Sequence, residues 1–171
     1  FNLLFSVQTA LDVTYLWGNA KLPDDITYAS YAHRGAYPLI LTALLAAGFV
    51  LAAMRPGGPA EKSTIIRPMV YLWVAQNVLL VASAILRLDL YVQIYLLTWW
   101  RVAAFVWMLV VMAGLLLIVA RIALNRSNGW LIGANLITLT AALYVCSLVN
   151  FAAIIADYNV SHSREATGKG V

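Results

Sequence analysis

Charge is scarce in this chain: Asp, Glu, Lys and Arg together make up 11% of 171 residues. A soluble domain is nearer one quarter charged, so a water-solvated surface is excluded for most of the sequence. Cysteine occurs once, as Cys146 inside an apolar run, which excludes an intrachain disulfide and a cysteine metal cluster. Its reading is a small buried hydrophobe. Histidine occurs only at His33 and His162, and lysine only at Lys21, Lys62 and Lys169, all in polar stretches. No apolar run therefore offers a lysine for a retinal Schiff base or two histidines for a haem. There is no Gly-rich phosphate loop, no H-E-x-x-H and no G-x-S-x-G. No basic n-region with a small-residue cleavage site marks a signal peptide.

Long apolar runs are what the chain has instead. Hydrophobic residues reach 63% and the mean hydropathy is +0.84. The organising stretch is Trp99 to Arg121, where the residues from Val102 to Ala120 carry no charge. At about 1.5 Å per residue that run approaches 30 Å, the thickness of a bilayer's hydrocarbon core. Trp99, Trp100 and Arg101 form an anchor at one end and Arg121 at the other. The spacing predicts a membrane-spanning helix.

The same reading divides residues 1–160 into an all-α, polytopic membrane bundle of about five transmembrane helices, near 1–18, 38–54, 65–86, 101–122 and 130–156. Two short interfacial helices are expected, at 26–37 and 87–98, followed by a polar tail over 161–171. The second span is rich in small residues such as Ala43, Ala47 and Gly48, which let helix backbones approach closely in lipid. The fifth is uncharged for about 40 Å, so it should tilt or protrude. Because the chain opens inside an apolar segment and closes on Thr-Gly-Lys-Gly-Val, it reads as a piece of a longer protein. The turns at 55–67 and 121–126 concentrate Arg55, Lys62, Arg67, Arg121 and Arg126 against Glu61 alone, which makes that side cytoplasmic.

Four phrases, in order, resemble those of a bacterial multi-pass family, domain of unknown function 4173 (4153-like). Gln8 with Tyr15-Leu16-Trp17-Gly18 is similar to its Q…YLFGG phrase, and Thr27-Tyr28-Ala29-Ser30-Tyr31-Ala32-His33-Arg34-Gly35 to its TYAEYxRRG phrase. Tyr95-Leu96-Leu97-Thr98-Trp99-Trp100-Arg101 resembles YGLTxxR, with leucine where glycine is usual, and Asp157-Tyr158-Asn159-Val160 resembles the segment after the last span. The resemblance implies further spans before this region, a soluble tail after it, a bacterial inner membrane, and no settled activity.

Polar groups inside the spans are the candidates for chemistry. Asp12 is the one acid within a span, and an ionised carboxylate in lipid requires a partner. An ion pair with Arg101, Arg87 or Arg34 is expected, Arg101 first, as a clamp between spans or else a proton or ion relay. Gln8, Gln76, Asn77, Asn135 and Asn150 are expected to be buried amides hydrogen-bonded across helices. His33, Asp157 and His162 fall on the outer side, where they would make a surface site; the plainer reading is solvated interfacial side chains. No catalytic residue, metal or cofactor is assigned beyond bound lipids. The expected function is a non-enzymatic inner-membrane scaffold or accessory subunit, whose partners are membrane lipids and other membrane-protein subunits, with no nucleic acid. The alternatives are part of a transporter or, further off, a membrane-surface enzyme.

Overall fold

The structure is a computed structural model that describes residues 63–167 continuously, with side chains to 163, and residues 3, 6, 7, 9, 10, 13, 14, 45, 48 and 52 before them. All the regular structure among the described residues is helical. In the continuous part, α1 covers Ile66–Tyr95, α2 Trp99–Ala123, α3 Asn128–Leu148 and α4 Phe151–Thr167. The first three are long and apolar enough to cross a membrane and mark the chain as a membrane protein. The expected spans near 1–18 and 38–54, and the interfacial helix at 26–37, lie outside the continuously described residues.

α2 is the middle of the bundle, packed along α1 on one side and α3 on the other, with α4 touching it near its start. Neighbours run antiparallel because the connections are only three and four residues long. On α1, Val70, Val74 and Val81 present one stripe; on α2, Leu115, Ile118 and Ile122 answer it at spacings of three and four, and Leu131 of α3 closes the cluster. This core lies where α1 begins and α2 ends. Further along, α2 and α3 approach closely at Gly114, where a Cβ would meet Asn135 Oδ1 at 3.1 Å.

Local chemistry explains the boundaries. Ser63 Oγ accepts the Ile66 amide at 3.3 Å, and Pro68 sits in the first turn of α1, where its missing N–H costs nothing. The α2–α3 turn places Asn125 at φ 49°, a left-handed conformation that asparagine tolerates, and Ser127 caps α3 by accepting the Trp130 amide.

Two expectations change. The stretch 87–98 was expected as a separate interfacial piece, but it continues α1 without interruption to Tyr95, since nothing between Arg87 and Tyr95 breaks a helix. At 30 residues α1 is about 45 Å long and outruns the hydrocarbon core. The expected single span 130–156 is two helices. α3 stops at Leu148, Val149 is extended, and Asn150 starts α4 by accepting the Ala153 amide at 3.1 Å.

Candidate functional site

Four arginines frame the α1–α2 pair. Arg67 and Arg87 lie twenty residues apart on α1, and Arg101 and Arg121 lie twenty apart on α2, about 30 Å in each case. The antiparallel register sets them level in pairs. At one end Arg67 Nη2 donates to the Ile122 carbonyl at 3.3 Å, one residue beyond Arg121. At the other, the Arg101 guanidinium lies 4.4 Å from the Tyr91 ring centroid, one turn past Arg87. The slab between the pairs has the thickness of a bilayer's hydrocarbon core.

Within the slab α1 carries a second buried face, distinct from its valine stripe. Gln76, Leu80, Ser83 and Arg87 follow one another at spacings of four, three and four, and are 6%, 7%, 3% and 8% exposed. Gln76 Nε2 donates to Ser6 Oγ at 3.0 Å, so this face meets the N-terminal segment. An open groove of about 420 Å³ runs there, lined by Ser6, Thr9, Ala10, Val13, Thr14 and Gln76. Gln76 is nine residues from Arg67, so the groove lies near mid-slab.

The other polar feature is a clamp at the Arg87–Arg101 end. Asn159 of α4 accepts the Leu97 amide on Oδ1 at 2.8 Å and donates from Nδ2 to the Leu97 carbonyl at 2.9 Å. Leu97 belongs to the short α1–α2 connection. Its neighbour Leu96 adopts φ 65°, ψ 175°, a region that is nearly glycine's alone. That residue is the leucine standing where glycine is usual in the family phrase. Arg101 Nη1 donates to the Tyr95 carbonyl at 2.6 Å and to the Leu96 carbonyl, supplying donors to the C-terminus of α1. Trp99 meets Phe151 edge-on at 5.9 Å, a second tie between α2 and α4.

The expected site residues are distributed as follows. Asp12, Gln8, His33 and Arg34 lie outside the described residues, and the ion pair expected of Asp12 with them. Arg87 is buried on the polar face of α1, and Arg101 holds the carbonyls at its end. Among the amides, Gln76 bonds across to another segment. Asn77 and Asn135 instead donate to carbonyls one turn back on their own helices, Trp73 at 2.8 Å and Leu131 at 2.9 Å. Asn150 is exposed and caps α4. Asp157 is exposed; His162 is half-buried, stacked on Tyr158 at 3.9 Å with Nδ1 2.9 Å from the Tyr158 carbonyl. No group of three metal-ligating side chains occurs among the described residues.

Sequence reasoning noted Leu96 only as leucine in a glycine position, and missed the Asn159 clamp and the burial of Arg121, whose Nη2 donates to Asn128 Oδ1 at 2.7 Å. The signal for the first two was present: both belong to phrases shared with the family, and the clamp is where those phrases meet. Neither the comparison with curated proteins nor that with solved structures finds a match. The family model for Domain of unknown function (DUF4153) matches residues 1–169, so the family number is 4153 rather than the 4173 its phrases first suggested. The chain belongs to this family of domains of unknown function.

Proposed function

We propose that the chain is an integral scaffold or accessory subunit of a larger assembly in a bacterial inner membrane. In this reading the bundle has five spans, the turns at 55–67 and 121–126 are cytoplasmic, and Asp12 pairs with an arginine at the Arg87–Arg101 end. The observation that carries it is the division of labour among side chains. Arg67, Arg101, Asn150 and Asn159 serve helix ends and connections. The exposed side chains of α2 and α3, meanwhile, are mostly apolar, among them Trp107, Leu109, Leu116, Leu136, Leu143 and Val145. Such a body offers lipid and neighbouring helices a surface and offers a substrate little chemistry.

The test is extraction of the protein from its native membrane in polymer-bounded lipid discs, followed by mass measurement. A stoichiometric partner supports the reading; a lone, monodisperse chain overturns it. The mid-slab groove with its Ser6, Thr9, Thr14 and Gln76 lining favours a second reading, part of a transporter for a small polar solute. Solute-dependent flux in proteoliposomes, abolished by Gln76→Leu, would decide for it.

A further inference from the structure

We propose that the end of the bundle where α1 begins and α2 turns into α3 binds the phosphate of an anionic phospholipid. Three arginines belong to this end: Arg67 on α1, beside the last turn of α2, Arg121 on α2, and Arg126 in the turn, whose backbone amide donates to the Arg121 carbonyl at 3.0 Å. Arg67 donates to a backbone carbonyl, and Arg121 to the Asn128 amide oxygen. No acidic residue occurs from Ser63 to Leu88 or from Trp99 to Ala156; the nearest in sequence is Glu61, followed directly by Lys62.

The opposite end differs in kind. There Arg87 and Arg101 are matched in number by Asp89 and Asp157. Helix dipoles sharpen the contrast. Among the described helices, the arginine-rich end gathers two N-termini, of α1 and α3, against the C-terminus of α2, which adds to the positive field there. The positive field is therefore concentrated at one end of the slab, at the depth where phosphates lie.

The roles of the arginines follow from their exposure. Arg121 is 4% exposed and held by Asn128, whereas Arg67 is half-buried and Arg126 exposed, so these two are the guanidinium groups open to a phosphate oxygen. A lipid is favoured over free phosphate by the rim: Ile65, Met69, Leu124 and Ile132 are all more than half exposed around the arginines, a bed for acyl chains. A zwitterionic headgroup brings its own cation into the same field and is disfavoured. The inference rests on α1–α3 crossing a membrane and not on the scaffold reading, so either can fail without the other.

The experiment is native mass spectrometry of the full chain released from bilayers of phosphatidylcholine and phosphatidylglycerol in equal parts. Selective retention of phosphatidylglycerol is expected. Arg126→Gln should lower it about fivefold, and Arg126→Gln with Arg67→Gln about 25-fold, by the usual contribution of each basic residue at an anionic surface. Asp157→Asn, at the other end, should leave it unchanged. Circular dichroism checks that each variant keeps its helices; because Arg126 is exposed, its single variant decides the matter if the double variant does not fold. Equal retention of both lipids, or retention indifferent to Arg126→Gln, overturns the proposal. So does displacement of the lipid by millimolar inorganic phosphate, which would make free phosphate the ligand.

Discussion

Asn159 holds both backbone polar groups of Leu97, 62 residues away, at 2.8 and 2.9 Å. A carboxamide is the side chain that matches the N–H and C=O of one residue in this way, one donor against one acceptor on each partner. The clamp fastens α4 to the α1–α2 connection at a point where the connection has no helical hydrogen bonds of its own. Its consequences are measurable.

Replacing Asn159 by alanine removes two hydrogen bonds to a buried peptide, at about 1 kcal/mol each, so a loss near 2 kcal/mol is expected. Asn159→Asp should be at least as damaging, because a carboxylate faces the Leu97 carbonyl with no proton to donate. Chemical unfolding in mixed micelles measures both. An aspartate variant as stable as the parent would refute the bidentate geometry.

Leu96→Gly should stabilise the protein. Leucine at φ 65°, ψ 175° bears steric strain of about 1–3 kcal/mol, and glycine loses about 1 kcal/mol of that gain to its freer unfolded chain. A net rise of up to about 2 kcal/mol is expected, with Leu96→Val lower than the parent. Thermal unfolding of the three proteins in one detergent ranks them; a glycine variant at or below the parent contradicts the backbone assignment.

Gly114 and Asn135 should be energetically coupled. Alanine for glycine inside a helix gains about 1 kcal/mol on its own, but here the new methyl meets Asn135 Oδ1 at 3.1 Å. Gly114→Ala is expected to be neutral or destabilising alone and stabilising when Asn135→Ala is also present. A double-mutant cycle should return more than about 0.5 kcal/mol, and additivity would mean that the helices stand further apart.

Asn150→Ala should fray the start of α4 at a cost of about 1 kcal/mol, the usual worth of an asparagine N-cap. Amide hydrogen exchange should accelerate from Phe151 through Ala153 and leave α3 unaffected. Exchange that rises equally in α3 would indicate one continuous helix instead.

The long helices were legible in the sequence for a simple reason. Lipid imposes a minimum length and forbids charge, so Trp99 to Arg121 announces α2 without reference to any neighbour. The α2–α3 turn was equally readable, since Asn125 and Ser127 carry local conformational preferences. The break at Val149–Asn150 was not, because apolar residues flank it on both sides and hydropathy is blind to a cap. Much the same holds for α1, where Arg87 and Asp89 read as the end of a span although a helix tolerates both.

The candidate sites divide along the same line. That amides and arginines inside apolar helices require partners follows from the cost of a bare polar group in hydrocarbon, and residue types alone establish it. Which partner each one takes depends on rotation about a helix axis and on antiparallel register, and composition carries neither. Thus Gln76 reaches Ser6 on another segment, whereas Asn77, one residue on, turns back to Trp73 of its own helix. Solvation by lipid is a property of each stretch taken singly. The grouping of arginines at one end was already legible from the order of spans and turns, but the joining of Leu97 to Asn159 came only with packing, because it depends on distances between stretches that chain order leaves free.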